Sequence, residues 1–299
     1  MGKLYSALIV LSLIWGTSFL FMKILVASMS PLTVVFGRCL FGAVLLLIIA
    51  LSSKKKIHFK NLPWGKLVLV ALTNNVLPWL LICSSETKIS SGLASIVNAT
   101  TPIWTLLIGF FFFSSKLKKN QWVGIFIGFL GIFILSEIRP GDVFSGNMFG
   151  ILLMALATFS YGLGAHMTKK YLSSLTILET SVFTLIISAT ISFILMMGFS
   201  PPSHLNVIFT AENLFAFTGL GTLGSGVAYL LYYYLVKKGS PEFASLVTYL
   251  VPVSAVIWGA SLLKESIHLS MLLGLLVIFT GVYVSSLKYK KQMNEENAA

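Results

Sequence analysis

The chain has 299 residues, 57% of them hydrophobic and only 10% charged, with a formal net charge of +12. Soluble domains carry roughly 25% charged residues, so an ordinary soluble domain is excluded and membrane spans are indicated. A nucleic-acid footprint is excluded as well, because the basic residues sit in short clusters between apolar runs rather than along one stripe with interleaved aromatics.

A helical span needs roughly 20 mainly apolar residues. Ten segments meet this requirement: 3–27, 31–52, 64–83, 89–113, 120–136, 148–168, 176–199, 211–236, 243–263 and 268–288. The first is too long for the apolar core of a secretory signal and contains Trp15 and Lys23, so it reads as a retained helix. Lysine and arginine set the orientation. With the N-terminus inside, sixteen of them fall in inner segments and three (Lys88, Arg139, Lys264) in outer ones, leaving Lys23 and Arg38 within spans. Both termini are therefore expected in the cytoplasm.

In chain order, the first span carries Trp15-Gly16-Thr17-Ser18, an aromatic beside glycine near mid-span, with Lys23 close enough to the outer end to snorkel. In the second, Arg38 lies seven residues after Pro31, about 10 Å deep at helical rise. A cation there is expected to face protein or water, as a structural anchor or as a contact for an anionic substrate. Cys39 and Cys83 make no disulfide framework or zinc site and read as packing thiols.

The third span reads Thr73-Asn74-Asn75-Val76-Leu77-Pro78-Trp79. Pro78 removes a donor and is expected to open the helix. Asn74 and Asn75 either line a pathway or bond across helices. The fourth span contains Asn98, Pro102 and Trp104. The sixth contains Ser160-Tyr161-Gly162 and, near its cytoplasmic end, His166, for which interface solvation is favoured over a proton relay. The eighth carries Gly224-Ser225-Gly226-Val227-Ala228-Tyr229, and the ninth carries Thr248, Tyr249 and Pro252.

These positions are not independent. Ser90, Ala94, Ser95, Val97, Pro102, Gly109, Gly124, Phe129 and Gly131 recur 150 residues later as Ser240, Ala244, Ser245, Val247, Pro252, Gly259, Gly274, Phe279 and Gly281. A repeat of five spans is odd, so the second copy enters the membrane upside down. The expected fold class is an all-α polytopic membrane protein whose ten transmembrane helices form two inverted five-helix repeats. The repeats cover residues 3–138 and 146–288, and a short polar cytoplasmic tail covers 289–299. Interrupted helices at matching positions of two such halves point to a midplane binding site. The candidate substrate pathway is Trp15, Asn74, Asn75, Asn98, Trp104, Tyr161, Ser225, Tyr229 and Tyr249, with Pro78, Pro102 and Pro252 as hinges.

Enzyme chemistry has no constellation to rest on. All nine carboxylates fall in loops, at span ends or in the tail, no metal-ligand spacing occurs, and there is no Walker loop. No cofactor is expected. The expected partners are a small-molecule substrate and membrane lipids, with no nucleic acid, in a monomer or homodimer.

The whole chain resembles the EamA family of the ten-helix drug/metabolite transporter superfamily. The resemblance rests on Trp15-Gly-x-Ser-Phe with Lys23, on Pro31-x6-Arg38, on the paired Ala94-Ser95…Pro102 and Ala244-Ser245…Tyr249-Leu-x-Pro252, and on Lys264-Glu265 followed by Gly274 and Gly281. It implies a basket-like inverted-repeat exporter of small metabolites, amino acids among them. Where the family carries a glutamate after the fourth or ninth helix, this chain keeps Glu265 in the second copy and has Ser115 in the first. A small multidrug-type cation antiporter is the nearest alternative, but it depends on an acid in the first helix that is missing here. A membrane sensor or lipid-modifying enzyme is the alternative from another class.

Overall fold

A computed structural model describes residues 2–52, 62–89, 91–114, 119–136, 148–200 and 208–262, with parts of 269–284. Glu265, Ser115 and the 289–299 tail lie outside the described residues, as do most of the loop lysines that set the expected orientation.

Every regular element among the described residues is a helix: α1 (Gly2–Ser28), α2 (Pro31–Ser52), α3 (Trp64–Glu86), α4 (Ser91–Asn98), α5 (Thr101–Phe113), α6 (Lys119–Ser136), α7 (Met148–Tyr171), α8 (Ile177–Phe199), α9 (Ala211–Lys238), α10 (Pro241–Ser245), α11 (Val247–Leu262) and α12 (Leu272–Gly281). Seven segments are long and apolar enough to cross a membrane: α1, α2, α3, Ala94–Phe113 (which runs through the α4–α5 bend), α7, α8 and α9. The shorter α11 and α12 fall on the ninth and tenth expected spans, and α6 on the fifth. Side-chain caps set several starts. Thr176 forms a capping box with Glu179 at α8, Thr210 accepts from the Asn213 amide at α9, and Ser240 accepts from the Phe243 amide at α10.

The expected third and eighth spans, α3 and α9, are not broken at their polar centres. Each continues through a widened π turn, over Leu72–Val76 in α3 and Thr218–Val227 in α9. In lipid, a carbonyl that loses its helical partner must find another donor. Pro78 takes away the amide that would serve the Asn74 carbonyl, and the Tyr229 hydroxyl donates to that oxygen instead, at 2.6 Å. The Ser160 hydroxyl donates to the neighbouring Thr73 carbonyl at 2.8 Å. The position equivalent to Asn74 is Gly224, whose carbonyl accepts from both Trp15 Nε1 and the Arg38 guanidinium, each at 3.2 Å.

The segments on the expected fourth and ninth spans, α4–α5 and α10–α11, bend differently. The α4–α5 break lies at Ala99-Thr100, just before Pro102, and the Thr101 hydroxyl donates to the Asn98 carbonyl at 2.6 Å. In the ninth span the break comes at Leu246, and Pro252 sits inside the continuing α11.

Packing relates the halves in pairs. α1 packs on α9 and α11, as α7 packs on α3 and α5, while α2 lies along α8. Repeat-equivalent residues meet at the seams. The rings of Trp79 and Tyr229 contact edge to face with centroids 5.3 Å apart. Gly131 and Gly281 bring the backbones of α6 and α12 together: a Cβ on Gly281 would lie 2.5 Å from the Gly128 nitrogen, and one on Gly131 would lie 2.7 Å from the Ile278 nitrogen. In α8, Thr180, Thr184, Ser188 and Ser192 recur every fourth residue, all fully buried, each returning its hydroxyl to the carbonyl four residues back. This small polar stripe lets α2 and α3 approach closely.

Two stability outcomes are expected. Tyr229→Phe leaves the buried Asn74 carbonyl without its donor and should lower stability by about 1–2 kcal/mol. Tyr233→Phe should cost clearly less, because the Thr184 hydroxyl that Tyr233 contacts keeps its own carbonyl partner. Thermal unfolding of the two variants in detergent checks the ranking, and equal losses would contradict it. Gly281→Leu should destabilise by about 2 kcal/mol or more through overpacking. An unchanged melting temperature would mean that α6 and α12 do not touch through their backbones.

Candidate functional site

The main cavity lies where α1, α2, α3, α5, α7 and α9–α11 converge, and it contains about 560 Å³ of space free of protein atoms, its mouth included. Trp15, Ser18, Phe19 and Met22 line it from α1, Arg38 from α2 and Ile82 from α3. Asn98, Thr101 and Thr105 come from the α4–α5 bend, and Tyr161 and Ala165 from α7. Tyr232, Ala244, Ser245, Val247 and Thr248 close it from the second half.

Arg38 is the electrostatic centre of this wall. It is 3% exposed. Its Nε donates to Ser225 Oγ at 2.7 Å, one terminal nitrogen donates to the Gly224 carbonyl, and the other lies 3.4 Å from Met22 Sδ. The guanidinium stacks over the Trp79 ring at 3.8 Å, a contact worth about 0.5–2 kcal/mol. Among the described residues no carboxylate comes within ion-pair distance of it. A guanidinium has five N–H donors, so these contacts fix its plane and leave donors to spare. Ser225, a sequence candidate, lies beneath Arg38 and holds it in place rather than facing the cavity.

Asn98 supplies the complementary group. It is buried, lines the cavity, and its Oδ1 accepts no hydrogen bond. Aromatic side chains line the same cavity. The Trp15 ring lies 5.6 Å from that of Tyr232, and Tyr161 stands on the opposite helix. The wall thus offers a cation, a neutral acceptor and aromatic faces, the usual make-up of a site for a small amphipathic molecule.

The other sequence candidates sit elsewhere. Asn74 donates to Thr168 Oγ1 at 3.0 Å and receives the Tyr232 hydroxyl on its Oδ1 at 3.4 Å, so it stands one layer behind the cavity. Asn75 points to α8 and donates to Ser188 Oγ at 3.0 Å. Tyr229 is fully occupied with the Asn74 carbonyl and with the rings of Trp79, Tyr232 and Tyr233. Tyr249 packs against Gly128 of α6 and donates to the Ile125 carbonyl at 3.3 Å. Trp104 meets Phe159 edge to face, away from the cavity.

Lys23 does not simply snorkel. Its ammonium donates to the carbonyls of Glu86 at 2.5 Å and Ile89 at 2.9 Å, which ties α1 to the end of α3. His166 is buried rather than solvated. Its Nε2 lies 2.8 Å from the Thr105 carbonyl, its ring stacks on Phe113, and Glu242 is 3.8 Å away. Tyr232 is one of the cavity residues that the sequence pattern did not single out. Its signal was its place one turn after Tyr229, inside a run of three tyrosines.

Comparison with known proteins agrees with this architecture. A solved crystal structure superposes with a TM-score of 0.71 at 17% identity, covering 93% of this chain and 97% of the other, which speaks for the fold alone. The uncharacterized inner membrane transporter YedA of Escherichia coli K12 is 28% identical over 96% of this chain and 92% of its own length. The uncharacterized transporter YoaV of Bacillus subtilis is 22% identical over 98% of this chain and 99% of its own. Protein PecM of Dickeya dadantii is 24% identical over 91% of this chain and 88% of its own. The sequence matches the EamA-like transporter family in two stretches, residues 3–137 and 148–287, and the chain therefore belongs to that family as a multi-pass membrane protein.

Proposed function

We propose that the protein is a secondary transporter that exports a small organic metabolite, an amino acid or a related amphipathic compound, across the cell membrane by alternating access. The observation that carries this reading is the pairing of Arg38, a buried cation with no carboxylate partner among the described residues, with the unsatisfied Asn98 Oδ1 across one aromatic cavity. A solute carboxylate would take the spare donors of Arg38. A solute ammonium or N–H would serve Asn98, and an apolar body would lie against Trp15, Tyr161 and Tyr232. The name of the Escherichia coli relative, an inner membrane transporter, supports the cell membrane as the location.

In this proposal the ten spans form two inverted repeats with both termini in the cytoplasm, and the cavity opens alternately to each side between them. The reciprocal packing of α1 with α9 and α11, and of α7 with α3 and α5, supports a pseudo-two-fold axis, as does the contact between Trp79 and its repeat equivalent Tyr229. The charge asymmetry of the loops supports the orientation.

Topology is checked with reporter fusions. Fusions after Asn120 and Lys170 should read cytoplasmic, and one after Gly141 external. A cytoplasmic reading at Gly141 would remove the inverted repeat.

The transported class is checked by untargeted metabolite profiling of cells with and without overexpression. Carboxylate-bearing amphipathic solutes should accumulate in the medium of overexpressing cells. Arg38→Lys, which keeps the charge but loses the planar fork, should cut that export by about 5- to 100-fold at normal abundance, equivalent to about 1–3 kcal/mol. Export of lipophilic cations instead would favour a multidrug antiporter, and an unchanged profile would sink the transport reading.

A further inference from the structure

Glu86 ends α3 with a fully buried side chain, and neither carboxylate oxygen accepts a hydrogen bond from any described residue. Nothing in the solute site described above uses it. The nearest cations on neighbouring helices are Lys23 of α1 and Arg38 of α2, and neither reaches its carboxylate. Lys23 bonds the Glu86 backbone oxygen, and Arg38 donates to Ser225 and Gly224. The other titratable groups near it among the described residues are Cys83, one turn back on α3, and Lys88, two residues on, whose ammonium packs over Phe149 of α7. An ionised carboxylate sealed from water without a donor is strongly disfavoured, whereas a neutral carboxylic acid can be held there.

The position of the group matters as much as its isolation. In the proposed orientation, Glu86, Lys23 and Ile89 stand at the outer end of the bundle. The ammonium of Lys23 links the carbonyls of Glu86 and Ile89, and Ser85 Oγ donates to the Gly150 carbonyl at 2.7 Å, so α1, α3 and α7 are tied together at this end. One turn below Glu86, Ile82 lines the solute cavity, and so does Arg38. Glu86 therefore sits one turn from the cavity wall, on the side of the expected outer end.

We propose that Glu86 is the proton-binding site of the transport cycle: its carboxyl carries a proton while the outer end is closed and gives that proton up when the outer end opens to water. When the outer end opens, the ionised carboxylate is hydrated and faces Lys23 and Arg38. Uptake of one proton from external water onto a carboxylate oxygen removes the charge, and only the neutral acid can be resealed without a donor. In this proposal the arrangement described here corresponds to the closed form with the neutral acid. By linkage, acidity favours closure and alkalinity favours opening. This rests on the transporter reading above, yet it is tested without a solute.

The experiment uses the full chain in lipid vesicles with Cys39→Ala and Cys83→Ala. Infrared difference spectra between acidic and alkaline buffer should show a carboxylic-acid carbonyl band that shifts in D₂O and is missing in Glu86→Gln. In the same background with Ile82→Cys, a membrane-impermeant maleimide applied from outside should label several-fold faster in alkaline than in acidic buffer. The rates are normalised to a cysteine at exposed Phe209, which corrects for thiol ionisation. Adding Glu86→Gln, a permanently uncharged mimic, should leave labelling slow in both buffers. If that variant does not fold, the infrared band and the pH dependence of the Ile82→Cys protein still decide. A missing band overturns the proposal, and so does labelling that ignores pH. Either failure leaves the exporter reading standing, because that reading is judged by the metabolite profile.

Discussion

In a bilayer no backbone carbonyl can turn to water, and the architecture here follows from how two widened helices meet that demand. Each half serves the other's exposed carbonyl. Tyr229 of the second half donates to Asn74, and Trp15 and Arg38 of the first half donate to Gly224, the repeat equivalent of Asn74. The donors themselves become walls. Trp15 and Arg38 line the cavity directly, and Tyr229 packs behind Tyr232, which does so too. The repair of the backbone and the construction of the site are thus one set of contacts. This explains how a costly buried cation is accommodated at position 38: it is held by Ser225, Gly224 and Trp79 while lining the cavity.

Proline placement adds to this division of labour. Pro78 creates the acceptor that Tyr229 fills, so it works as a docking point between halves. Pro102 lies just after a real break, and the Asn98 carbonyl ahead of it is covered locally by Thr101. Asn98 lines the cavity, and its side-chain oxygen accepts no hydrogen bond. Pro252 lies within a continuous helix, with the break one turn and a half earlier at Leu246. The halves share a sequence motif but bend at different points, and this difference gives the cavity its asymmetric lining.

Much of the fold was legible because span length and a 150-residue period are coarse, redundant signals. The site was less legible for a physical reason. A polar residue at mid-span must face either a neighbouring helix or a cavity, and spacing does not distinguish the two. Asn74 and Asn75 found Thr168 and Ser188, whereas Asn98 found no partner for its oxygen. Those partners belong to helices far away in sequence, so no local pattern announces them. Glu86 reads as a span-end acid in sequence, because only the packing of α1 and α7 over the end of α3 seals it. Tyr232 is hidden by its neighbours, since one tyrosine in a run carries no distinct periodic signal. Trp15 and Tyr161, marked by an aromatic beside glycine, and Arg38, marked as a cation deep in a span, all line the cavity.

The most direct test is an experimental structure of the protein in lipid nanodiscs with the solute found by metabolite profiling. Density for that solute should lie between Trp15, Tyr161 and Tyr232, with its carboxylate on Arg38 and a donor toward Asn98 Oδ1, while Tyr229 and Trp15 still bridge the halves at Asn74 and Gly224. Solute bound outside this cavity, or an Arg38 that makes no contact with it, would contradict the account.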